Sequence, residues 1–220
     1  MMQVEGATTD GGYLPVQLIG ICQDTKSNGT GKAGLTFQTR DVYAYNNTKS
    51  IAAGGDEFLC QINPSDTNDG GWKGSAMWNR LRTTFMSSLD NGLQSIIVPV
   101  DKYQQLVDGT TADYLDKATG ETIWLPSMYE VYGTSFDNYN ESEALDGIAG
   151  YVRFQYQAYQ GNNGATTNDK AIKKYNASLT NWWLRSAYRS YKSSFCYVGY
   201  IERDYGGASY TRGVTPAFCL

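Results

Sequence analysis

Histidine is absent from all 220 residues. That removes Ser-His-Asp and Cys-His catalysis, HExxH metalloprotease chemistry and mixed Cys/His zinc fingers. It also removes the side chain whose ordinary pKa lies nearest neutrality, so acid–base work would fall on shifted carboxylates, Lys, Tyr or Cys. Charge is scarce too: 18% of residues are Asp, Glu, Lys or Arg, against a usual share of about 25%. With a net charge of −4, the chain lacks the general basic surface that displaces counterions from nucleic acid or an anionic membrane. The four cysteines, Cys22, Cys60, Cys196 and Cys219, include no CxxC pair, which excludes zinc-ribbon and thioredoxin-type sites. Two readings of them stay open: small buried hydrophobes, or one disulfide, Cys196–Cys219, between strand-like C-terminal segments. No run approaches the roughly 20 apolar residues that span a bilayer. The opening MMQVEGATTDGG lacks the charged and apolar regions of a signal peptide. Sequons begin at Asn28, Asn46, Asn140 and Asn176, and they matter only where the source glycosylates.

The length suits one large domain or a small domain pair. LTFQTRDVYAY (35–45) alternates apolar and polar residues and predicts a strand, and EFLCQI (57–62) predicts a shorter one. Ser75 is placed to cap a helix whose Met77, Trp78, Leu81, Phe85 and Leu89 share a face. Asp90-Asn91-Gly92 should end it. SIIVPV (95–100) and TIWLP (122–126) predict strands, Pro99 placing the first near a sheet edge or ending it there. Ser127 and Glu130 have capping-box spacing, and Gly133 can close the short helix they open. From 134 to 180 the chain is polar and reads as a decorated loop region, with YVRFQYQAY (151–159) inside it and DKAIKKYN (169–176) as a solvated basic patch. NWWLRSA (181–187), SSFCYVGY (193–200) and GVTPAFCL (213–220) are strand-like.

The C-terminal segment differs in character. Six of the 18 tyrosines fall between positions 188 and 210, set among Ser, Gly, Arg and Asp. Tyrosine offers a large amphipathic contact surface with only two rotatable side-chain bonds. Arg adds forked hydrogen bonding, and Ser and Gly keep the backbone accessible. A sheet also favours aromatics for its own packing. Here, however, the neighbours are small or polar, and RDYGGASYTRG is too polar and Gly-rich for a core strand. An exposed aromatic patch for binding a partner is expected.

GGWKGSAMWNRL (70–81), IWLPSMYEVYG (123–133), NWWLRSA (181–187), FCYV (195–198) and GVTPAFCL (213–220) occur in that order. Together they resemble the variable proteins of diversity-generating retroelements, which include phage tropism determinants at tail-fibre tips. The resemblance covers roughly residues 70–220. It implies an α+β, C-type-lectin-like fold with two helices, near 75–90 and 127–133, on a small twisted antiparallel sheet holding the C-terminal strands. Residues 1–69 would be a strand/loop extension of the same domain, and the variable region would span about 187–212. In that family, random substitution at template adenines changes Asn-type codons into Tyr, Ser, Asp, Gly, Arg and others, but not into Lys, Glu, Gln, Trp or Met. Residues 197–215 contain one of those five, Glu202. The implied contact residues are Tyr188, Ser190, Tyr191, Tyr197, Gly199, Tyr200, Arg203, Asp204, Tyr205, Ser209 and Tyr210. The implied scaffold is Trp182, Trp183, Leu184, Arg185, Phe195, Val198, Val214, Pro216 and Phe218. Family members often have Pro where this chain has Ala187. Arg185, inside the scaffold motif, should pair with a carboxylate or cap carbonyls.

The resemblance implies non-enzymatic binding of a protein or glycan ligand at a phage tail tip or a bacterial cell surface. No cofactor, nucleic acid or membrane insertion is expected. A calcium site of the animal lectin kind would need clustered acids; the EPN-, QPD- and WND-like stretches are absent, and DNYNESE (137–143) is merely acidic. An oxidase of the formylglycine-generating type would use Cys196 and Cys219, with no His or basic cluster to activate them. A glycosidase pair could draw on Asp137, Glu141, Glu143 or Asp204, but no spacing singles out two of them. The remaining alternative is a structural virion or cell-surface component whose tyrosines only pack.

Overall fold

The computed structural model describes residues 2–4, 13–43, 60–104, 113–114, 120–133, 153–162, 169–200 and 203–220. Expectations that fall elsewhere, among them the DNYNESE stretch, Glu202 and the sequons at Asn46 and Asn140, lie outside the described residues. Along the chain come β1 (Met2–Val4), β2 (Leu14–Ile21), β3 (Leu35–Thr39), α1 (Ala76–Arg80), a π-helical turn (Leu81–Phe85), α2 (Met86–Ser88) and α3 (Asn91–Ile96). Then follow β4 (Tyr103–Gln104), β5 (Asp113–Tyr114), α4 (Met128–Tyr132), short 3-10 turns at Gln157–Tyr159 and Asp169–Ala171, β6 (Lys173–Tyr175) and β7 (Ser178–Thr180). The last strands are β8 (Trp182–Ala187), β9 (Ser194–Val198), β10 (Arg203–Gly207) and β11 (Ala217–Cys219).

The protein is α+β, built mainly from small antiparallel sheets. One sheet has the order β1-β2-β3-β11 and joins the start of the chain to its end. A second has the order β10-β9-β8, and two short antiparallel pairs, β4–β5 and β6–β7, complete the strands among the described residues. The C-terminal strands are thus divided between two sheets, because β11 pairs with β3 instead of with its sequence neighbours. Phe37 of β3 and Phe218 of β11 meet at 6.0 Å between ring centroids in the core. Among the described residues no helix is long and apolar enough to cross a membrane.

The helical run begins where its cap is expected. The Ser75 hydroxyl accepts from the Trp78 amide at 3.1 Å. Met77, Leu81, Phe85 and Leu89 are all buried. Their strict spacing of four overshoots a turn of about 3.6 residues. The wider π turn at Leu81–Phe85 takes up the overshoot and keeps the four on one face. Asp90 does not end this helix as expected. It caps the next one, its carboxylate accepting from the Gly92 amide at 2.8 Å. SIIVPV is accordingly no strand: Ser95 and Ile96 finish α3, and only Val100 forms β-bridges. The described part of EFLCQI, 60–62, is also outside any strand, although Cys60 and Ile62 are buried. TIWLP contributes a single bridge, Trp124 to Ala217. The capping box on α4 forms as predicted, and Gly133 closes the helix at φ 68°, a left-handed value that suits glycine.

The segment 153–180 is less solvated than its polarity implies. Tyr156 and Tyr159 are fully buried, the latter accepting from Gln17 and donating to Gln38. Lys173, read from sequence as part of a solvated patch, is buried with its amine donating to the carbonyls of Thr39 (2.8 Å) and Arg40 (3.0 Å). Burial pulls its pKa down to about 7. Its neighbours Lys170 and Lys174 are exposed.

At the centre lies a chain of four buried charges: Asp24, Lys102, Glu130 and Arg185. Arg185 grips Glu130 with two nitrogens, at 2.5 and 3.1 Å, and donates to the Leu125 carbonyl at 3.1 Å. Lys102 bridges Glu130 (2.7 Å) to Asp24 and also donates to the Tyr156 hydroxyl at 2.7 Å. Thr36 and Tyr156 donate to Asp24 in turn, at 2.6 and 3.1 Å. The Lys102 ammonium lies 4.4 Å from the Trp124 ring centroid. Burial alone would raise the Glu130 carboxyl, but the charges of Arg185 and Lys102 outweigh it and hold the pKa down to about 2. A depressed native pKa gives stability that is fully present above the unfolded value and is lost as pH falls through the native one. Glu130→Gln should therefore cost about 3–5 kcal/mol at neutral pH by leaving Arg185 and Lys102 under-compensated. Denaturant melts of wild type and variant should also differ in slope between pH about 4.5 and about 2, the wild type losing more.

Candidate functional site

The site grows from β8 and β9, whose residues are all buried. Trp182 and Trp183 have no exposed surface. Their indoles donate to the carbonyls of Ala171 (2.9 Å) and Cys60 (2.7 Å), which satisfies the one polar atom of each ring. Over this floor β10 pairs with β9 in the register Arg203↔Val198 to Gly207↔Ser194. Its residues are half-buried except Gly206. Apart from Tyr197, which lies within β9, the C-terminal tyrosines are therefore carried on an edge strand and on the loops at the ends of a fully buried ladder.

Three of the predicted contact residues form one ring cluster. Tyr188 and Tyr205 stack face to face at 3.8 Å with 2° between planes. Tyr191 leans on both at 32°, with centroids 5.7 and 5.5 Å away. Tyr191 is 53% exposed, whereas Tyr188, covered by the other two, is 6% exposed. Burial and the adjoining phenols of Tyr191 and Tyr188 push the Tyr205 hydroxyl above its ordinary pKa.

Other predicted positions fall differently. Tyr197 is not an exposed contact residue: it is 7% exposed and packs edge-on against Trp183 at 6.0 Å. Its hydroxyl donates to Asp204 at 2.5 Å, and the Arg212 guanidinium lies over its ring at 3.7 Å. The other Asp204 oxygen accepts from the Tyr205 amide at 2.8 Å, so Asp204 braces the site from within it. Tyr200 and Tyr210 are exposed at the strand connections, at 48% and 58%, and make no ring contact among the described residues. Ser190 is exposed, and Gly199, Arg203 and Ser209 are half-buried.

The residues that position these loops lie mainly outside the C-terminal segment. Asn68, itself buried, sends its side-chain amide to the carbonyls of Tyr188 (3.1 Å), Tyr191 (2.9 Å) and Ser194 (2.8 Å). Its own backbone amide donates to the Lys192 carbonyl at 2.7 Å. Asp66 accepts from both the amide and the hydroxyl of Ser209, at 2.9 and 2.6 Å. Gln61 reaches the Ser209 carbonyl at 2.6 Å. Sequence reasoning missed this clasp. PSDTNDGG carries only the composition of a loop, and nothing in it marks Asn68 as facing a turn more than a hundred positions away.

The cysteines are free, so no Cys196–Cys219 bridge forms. Cys219 is buried beside Asp24, and burial first, then that charge, pushes its thiol far above the ordinary value. Asn68→Ala should remove the three side-chain bonds to the 188–194 turn and cost about 1–3 kcal/mol. Hydrogen exchange should then rise at the Tyr188 and Ser194 amides more than at β9 as a whole.

No curated protein and no solved structure matches the chain. A family model described as a domain of unknown function (DUF6273) matches residues 41–220, which takes in the clasp, β8 to β11 and the tyrosine cluster. The chain belongs to that family.

Proposed function

We propose that this protein binds a macromolecular ligand, without chemistry, through the tyrosine-bearing face formed by β10 and the loops flanking β8 to β10. The scaffold is of C-type-lectin-like type, and the chain is a variable protein of a diversity-generating retroelement, acting at a phage tail tip or a bacterial surface. The observation that carries the reading is the Tyr188–Tyr191–Tyr205 cluster, with Tyr191 more than half exposed above strands that are entirely buried. A rigid floor lets exposed side chains change without unfolding the protein. Pre-stacked rings give up little further rotamer freedom on contact.

The geometry divides the contact set. In this reading Tyr191, Tyr200, Tyr205, Tyr210 and Ser190 meet the partner, with the half-buried Arg203 beside them. Tyr188, Tyr197 and Asp204 hold them in place, and Gly199 and Ser209 sit at loop positions beside them. The high thiol pKa of buried Cys219 and the separate, unbridged Cys196 weigh against the oxidase alternative, whose thiolate must form readily.

Tyr191→Ala combined with Tyr205→Ala should abolish binding on protein and glycan arrays, since each exposed ring at the centre of such a face contributes on the order of 2 kcal/mol. Circular dichroism should report an intact fold. An unchanged array profile would favour the purely structural alternative. Sister clones should differ at Tyr191, Tyr200, Tyr205 and Tyr210 while keeping Trp182, Trp183, Phe195 and Asn68. Sequencing a population of the source gene checks this, and variation spread evenly over both groups would sink the retroelement assignment.

A further inference from the structure

The turn between β8 and β9 has an electrical character that the tyrosine reading does not use. Arg189, Ser190, Tyr191 and Lys192 are consecutive and all exposed. Arg189 and Lys192 form no ion pair among the described residues. Residues 188–212 hold four basic and two acidic side chains, a charge of +2 in a chain of −4, so the remainder carries −6. Of the two acids, Asp204 is occupied by the Tyr197 hydroxyl and the Tyr205 amide.

The backbone of the turn points the same way. The carbonyls of Tyr188, Tyr191 and Ser194 are drawn inward onto the Asn68 side chain, and that of Lys192 onto the Asn68 amide. The Ser193 carbonyl accepts from the Ala208 amide at 2.8 Å. The negative ends of these peptide dipoles are thus spent inside the protein, while the exposed side chains of the turn include a guanidinium and an ammonium. Two cations on one turn, without ion-pair partners among the described residues, favour an anionic partner.

We infer that the partner of this face presents carboxylates, and that the Arg189–Lys192 turn engages an acidic segment of a polypeptide. The inference rests on the binding reading above and gives that site its ligand class. A polypeptide is favoured over a charged glycan because the cations flank a stacked aromatic cluster, the composition of a protein-contact hot spot. The net negative charge of the remaining residues disfavours an acidic partner overall and so steers it toward local cations such as this turn.

The test measures binding of the full chain to poly-L-glutamate and, separately, to heparin, at low and physiological ionic strength. Polyglutamate should bind in a salt-dependent way, and Arg189→Gln with Lys192→Gln should weaken it at least about tenfold. A control pair at exposed lysines elsewhere, Lys32→Gln with Lys174→Gln, should change it less than about twofold. No polyglutamate binding, or equal loss in both pairs, overturns the inference. Heparin binding without polyglutamate binding overturns it in favour of a sulfated glycan. The two readings also separate on the arrays. If the Tyr191/Tyr205 double variant abolishes binding there while Arg189→Gln with Lys192→Gln leaves it unchanged, the acidic-partner inference fails and the tyrosine reading stands.

Discussion

The fold is organised around a desolvated relay of alternating charge, Asp24–Lys102–Glu130–Arg185, whose net charge is zero. Each member comes from a different stretch of chain: the loop after β2, the segment before β4, helix α4, and strand β8. Ions removed from water are tolerated only when each finds its counterpart, so the four segments can pack in one arrangement and few others. Glu130 has a double role, because its carboxylate also accepts from the Ser127 amide as the capping box of α4. The same group that starts a helix therefore fixes where that helix lies against β8. Through Arg185, the relay sets the strand that underlies the tyrosine face.

Above that floor, responsibility is divided between segments remote in sequence. The loops that display tyrosines hold their shape through Asn68, Asp66 and Gln61, which act on backbone atoms or on Ser209. A clasp that grips carbonyl oxygens is indifferent to which side chains the gripped residues carry. That is the physical condition under which side chains at positions 189–191 can be exchanged while the turn keeps its path.

What was legible in the sequence follows the range of the forces involved. Local chemistry was readable: the Ser75 cap, the Ser127/Glu130 box, the Gly133 terminus and the apolar face of the first helix all depend on neighbours within a turn or two. The π turn could have been suspected from the strict four-residue spacing of Met77, Leu81, Phe85 and Leu89, which an α-helix alone does not keep in line. Pairing across long sequence separations was not readable. Hence SIIVPV, apolar enough for a strand, became the end of α3 and an extended bridge, and Lys173 proved buried because two carbonyls from β3 and the residue after it receive its amine. At the C-terminal strands, the Tyr/Ser/Gly composition is matched by exposed rings at Tyr191, Tyr200 and Tyr210. It could not separate Tyr191, which faces out, from Tyr197, which Trp183 and Arg212 enclose.

The bond from the Tyr205 amide to the Asp204 carboxylate bears on self-association. β10 is the outermost strand of its sheet, and an unoccupied row of amides there would be a template on which another chain could extend the ladder. A side-chain oxygen seated on the middle amide of the strand interrupts that row. Copies of this protein at high local concentration would thus be kept from zipping edge to edge along a strand whose one aromatic, Tyr205, is part of the ring cluster. An aliphatic residue at position 204 would remove this guard along with the Tyr197 brace, and would leave an edge open to pairing with another chain.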